Sequence, residues 1–73
     1  MRKATMEKIV NAINKEIAIT KTGWYTIYLT DNITVHCTRV RMESNLVMFY
    51  DDGKYIGSCL VKSVEKVKYL RGL

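Results

Sequence analysis

Proline is absent from this chain and glycine is scarce, with four in 73 residues. Together these exclude long irregular loops and proline-rich linkers, and they point to regular elements joined by tight turns. Histidine occurs once, at His36, so no histidine pair, catalytic triad or zinc cluster of ordinary spacing can be built around it. His36 and Cys37 are adjacent on a strand pattern and face opposite sides, which prevents them from sharing one metal. No glycine-rich phosphate loop is present. No stretch approaches the roughly 20 apolar residues that span a bilayer. Met1-Arg2-Lys3 opens like an export signal, but Glu7, Lys8, Asn11 and Asn14 interrupt the apolar run that a signal needs. Two cysteines without an export signal read as reduced thiols in a cytoplasm. Asn32-Ile33-Thr34 is then a turn followed by a strand rather than a glycosylation acceptor. Cys37 and Cys59 fall among apolar positions, as buried structural thiols do. These absences leave no catalytic residue, metal or cofactor to expect.

What is present fits one small domain spanning 1–73. The hydrophobic fraction is 48%, ordinary for a globular protein and far from a disordered one. A core in so short a chain is marginal, and a neighbouring subunit often completes its apolar surface. The net charge is +5, which favours polyanions through counterion release and also serves solubility. The charge is segregated. Arg2, Lys3, Lys8 and Lys15 crowd the start, Lys62, Lys66, Lys68 and Arg71 crowd the end, and Glu43, Asp51 and Asp52 lie between them.

Met6, Ile9, Val10, Ile13 and Ile17 recur at helical spacing and predict an amphipathic helix over about 5–17, with Thr5 as its N-cap and Glu7 in its first turn. The β-branched run from Ile17 to Thr20 and then Gly23 end it. From Trp24 the period becomes two. Tyr25, Ile27 and Leu29 point one way, and Trp24, Thr26 and Tyr28 the other. Asp31-Asn32 predicts a two-residue hairpin turn. The next strand runs from Ile33 to about Met42, but its parity breaks between Cys37 and Val40, which requires an extra residue or a sharp bend. Leu46 to Tyr50 is apolar on both faces and should be central. Asp51-Asp52-Gly53 is a turn, Tyr55 to Val61 a strand, Lys62-Ser63-Val64 a tight turn and Glu65 to Leu70 a closing strand. The expected fold is mainly β with an N-terminal α-helix: a small, bent, five-stranded antiparallel barrel over about 23–70.

That order resembles the Sm-like proteins, including the bacterial Hfq group. Thr26-Ile27-Tyr28-Leu29-Thr30-Asp31-Asn32-Ile33 looks like the family's first hairpin. Asn45-Leu46-Val47-Met48 is similar to the Asn-Leu-Val-Leu that closes its first motif. Ser63-Val64-Glu65-Lys66-Val67 resembles the turn into the last strand of the Hfq branch. The chain departs from the pattern in having Cys37 where the family usually bends at glycine, and only Lys62 near the Hfq pore pair. Glu43 is the nearest match to the family's acidic residue. Arg71-Gly72 resembles a second-motif pair but lies beyond the predicted strands. Other small SH3-like barrels share much of this pattern.

The resemblance implies that Asn45, in the loop before the central strand, hydrogen-bonds a base edge. Arg39 and Arg41, flanking the bend, and Lys62, in the last turn, would attract phosphates, and Tyr50 or Phe49 would stack on a base. Turn chemistry alone also accounts for Asn45, and a solvated strand face for the arginines. Trp24 and Tyr28, opposite the presumed core, are either covered by the helix or form a subunit or partner contact; stacking on a base or ligand is a third role. The resulting expectation is a non-catalytic, cytoplasmic, homo-oligomeric binder of RNA or single-stranded nucleic acid, with no membrane association. Two alternatives stand beside it. One is a small phage or mobile-element accessory protein that binds and inhibits a host protein. The other is an oligomer that sequesters a nucleotide-like ligand.

Overall fold

Helix α1 (Lys3–Thr20) opens the chain and buries Met6 and Val10, with Ile9 and Ile13 half-buried beside them. In the computed structural model the described residues are 1–20 and 23–70, with backbone alone for 17–20. The helix is longer than its apolar stripe. The Met6 N–H donates to the Arg2 carbonyl at 3.0 Å, so Thr5 lies inside the first turn rather than capping it. The first turn holds no acidic residue, so Glu7 lies past it. Nor does the β-branched run end the helix, because such residues cost only a few tenths of a kcal/mol each in helical conformation.

Six strands follow: β1 (Trp24–Leu29), β2 (Thr34–Cys37), β3 (Arg39–Glu43), β4 (Leu46–Asp51), β5 (Lys54–Leu60) and β6 (Val64–Leu70). They form two three-stranded antiparallel sheets, ordered β2-β1-β6 and β3-β4-β5. β4 is central in its sheet, as its two-sided apolar pattern requires. The expected second strand is divided at Thr38, which leaves two sheets of three strands rather than a single run of five.

Thr38 is the residue that the parity break demands. Val35 and Cys37 turn inward before it, Val40 and Met42 after it. Its N–H donates to the Tyr50 carbonyl at 2.9 Å, its hydroxyl donates to the same oxygen at 3.3 Å, and that hydroxyl accepts the Asp52 N–H at 2.8 Å. The corner is therefore stapled to the end of β4, and Cys37 beside it is 2% exposed. No glycine is needed there.

The turns follow local chemistry. Asp52 and Gly53 both have positive φ between the paired Asp51 and Lys54, the arrangement that Asp-Gly favours in a two-residue hairpin. The first hairpin differs from expectation. Leu29 N–H bonds the Ile33 carbonyl at 2.8 Å, so its loop is Thr30-Asp31-Asn32, with Asn32 left-handed at φ 59°. Three-residue loops close this way because Asn tolerates the left-handed region. The last turn, Val61–Ser63, is a single 3-10 turn.

Tyr25, Ile27, Cys37, Val40, Val47, Phe49, Val61 and Val64 join Met6 and Val10 in one core. The Tyr25 hydroxyl reaches Asn14 Oδ1 at 3.3 Å and ties the helix to β1. Among the described residues, no helix is long and apolar enough to cross a membrane.

Candidate nucleic-acid interface

The β3–β4 turn is only Ser44-Asn45, because Glu43 and Leu46 already pair, and Ser44 takes φ 55° to close it. The Asn45 carbonyl accepts the Val61 N–H at 2.9 Å, which fixes this turn against the 3-10 turn while the residue remains exposed. Lys62 is the next residue on that turn. Asn45 and Lys62, far apart in sequence, therefore line one groove of about 350 Å³ with Met1, Lys3, Leu60 and Val61. The Met1 ammonium donates to the Val64 carbonyl at 2.8 Å and holds the start of α1 beside this groove. The site thus offers an amide that can both donate and accept, two lysines and an apolar wall.

The other predicted residues lie elsewhere. Arg41 opens onto a second groove, about 390 Å³, between β3 and α1, lined also by Lys3, Glu7, Asn11, Asn14 and Ser44. Lys3 is common to both grooves. Arg39 pairs with Tyr50 at the far end of the sheet and donates from Nη1 to the Thr38 carbonyl at 2.7 Å. Tyr50 packs edge-on against Tyr55, ring centroids 5.7 Å apart, and its hydroxyl lies 4.0 Å from Met48 Sδ. Five residues of extended strand put Tyr50 roughly 17 Å from Asn45. Phe49 is 3% exposed and belongs to the core. Neither aromatic can stack on a base held at Asn45.

Comparison with protein-family models, curated proteins and solved structures returned no match.

Trp24 and Tyr28 stand on the outer face of the β2-β1-β6 sheet, on the side of β1 opposite the buried Tyr25 and Ile27. Helix α1 packs chiefly along β3 and the 3-10 turn. Trp24 is 42% exposed, and Tyr28 is half-buried under Lys66 and Lys68, whose Nζ atoms each lie 5.9 Å from its ring centroid. Sequence reading missed this cluster. Its signal was the alternation Lys66, Lys68, Leu70 against Val67 and Tyr69, which places both lysines on one side of β6. The pairing with β1 that brings them over Tyr28 is tertiary.

The cysteines are free thiols. Burial, and then the charge of Asp51, push the Cys37 thiol up to about 11, and burial raises Cys59 as well. Neither is primed as a thiolate nucleophile. Among the described residues, no group of three or more His, Cys, Asp or Glu side chains could hold a metal ion.

Proposed function

We propose that the protein is a non-catalytic binding module for RNA or single-stranded nucleic acid, acting as a homo-oligomer. The observation that carries this reading is the meeting of Asn45, Lys62 and Lys3 on one groove. An exposed carboxamide reads a base edge by donating and accepting at once, while flanking ammonium groups neutralise phosphates and release counterions. In the finer reading of the fold, β2 and β3 count as one bent strand. The run β6-β1-β2/β3-β4-β5 is then a five-stranded Sm-like barrel, and its oligomer forms when β5 of one subunit pairs with β6 of the next. Among the described residues β5 and β6 are each an outer strand of their sheet, with one paired neighbour, which supports that assembly.

Fluorescence anisotropy with a labelled oligouridylate tests the binding. Three phosphate contacts, from Lys3, Lys62 and the neighbouring Arg41, predict a slope of log affinity against log salt of about −2. Asn45→Ala with Lys62→Ala weakens binding by about tenfold while the circular dichroism spectrum stays unchanged. Affinity insensitive to both salt and the double substitution would remove the reading.

A further inference from the structure

The outer face of the β2-β1-β6 sheet is divided into an apolar end and a cationic end. Register pairs Trp24 with Leu70, and both are exposed, at 42% and 52%. It pairs Tyr28 with Lys66 and Thr26 with Lys68, which brings both ammonium groups over the Tyr28 ring. Between the two ends, Thr26 Oγ1 and His36 Nδ1 lie 3.2 Å apart. None of the residues paired across this face carries a carboxylate; Glu65, exposed beside Lys66, falls unpaired at the register shift between Tyr28 and Leu29. From Trp24 to Tyr28 is four residues of strand, about 14 Å.

The geometry points to this face as a docking site for an acidic peptide segment that also carries a bulky apolar side chain. Charge complementarity sets the cationic end. Lys66 and Lys68 are held side by side by one aromatic ring, and two cations at one place attract neighbouring carboxylates. Trp24 and Leu70 form the anchor, since an exposed Trp flanked by an aliphatic side chain loses most water when it packs against another apolar group. An extended peptide of about four residues spans the two ends. A single-stranded nucleic acid fits less well. The Tyr28 ring is already engaged by ammonium groups, and a base on the other end would press its polar edges against Leu70. This surface is separate from the Asn45–Lys62 groove and does not depend on it.

The test is anisotropy of a fluorescein-labelled peptide bearing a run of aspartates, a short spacer and a leucine, titrated with the full chain. Binding is expected to weaken about tenfold in Lys66→Glu with Lys68→Glu, and similarly in Trp24→Ala. The gentler pair Lys66→Gln with Lys68→Gln provides the same reading should charge reversal disturb the fold. Replacing the peptide leucine by serine should remove the dependence on Trp24. Asn45→Ala with Lys62→Ala should leave peptide binding intact, so that failure of the groove and failure of this face are told apart. Absence of peptide binding, or equal binding by wild type and variants, overturns the proposal. So does oligouridylate that displaces the peptide and itself loses affinity in Trp24→Ala, which would assign the face to nucleic acid.

Discussion

Thr38 holds the corner of the protein through three hydrogen bonds, two to the Tyr50 carbonyl and one from the Asp52 N–H. Thr38→Val keeps the branched shape and removes the hydroxyl, so two of the three bonds go. The expected loss is about 1 kcal/mol, read as a lower urea midpoint with an unchanged denaturant slope. An unchanged midpoint would show that the backbone bond alone sets the corner. Cys37 beside it makes a second residue-scale prediction. Its folded pKa, about 11, lies above the ordinary 9.0. Between those values the unfolded chain has lost a proton that the folded protein keeps, so the contribution of this thiol to stability is fully present below pH 9 and is lost as pH rises toward 11. The decline amounts to about 2 kcal/mol. Burial of the Tyr25 hydroxyl, also raised, extends it at higher pH. Urea unfolding across that window checks it, and a Cys37→Ala variant should give a shallower decline; identical slopes would refute the assignment.

At the scale of elements, much was legible because periodicity is local. The switch from helical to alternating spacing placed α1 and β1, and the change of parity after Cys37 placed the break between β2 and β3. Asp52-Gly53 announced its hairpin. What sequence could not supply was closure. Asn45 meets Lys62 because the Asn45 carbonyl bonds Val61 across the fold, and Tyr50 leaves Asn45 because β4 runs extended between them. The same limit concealed the junction between α1 and β1. Gly23 has φ +135°, and a Cβ there would run into the Tyr69 ring, which itself packs edge-on against Tyr25 at 5.7 Å. Gly23→Ala should therefore cost at least about 2 kcal/mol, from backbone strain and a displaced ring together. Thermal unfolding measures it. A melting temperature equal to wild type would mean that Tyr69 moves aside freely.

For the whole molecule, the proposed assembly rests on β5 and β6, each an outer strand of its own three-stranded sheet. Each carries seven residues, and exposed Tyr55, Ile56 and Leu60 on β5 and Leu70 on β6 are the apolar side chains that the proposed pairing of β5 with β6 would cover. Native mass spectrometry before and after nuclease treatment should give a closed oligomer that loses nuclease-sensitive mass. A bare monomer at micromolar concentration would exclude the ring.

The proposed contact between unlike edges would have a further consequence. A subunit with Ile56→Lys has a charge on one edge, where charge blocks pairing, and keeps the other edge intact. Mixed with wild type it can join an assembly once but cannot pass the contact on. A small fraction of such subunits would therefore act as chain terminators and poison assemblies well beyond their share of the population.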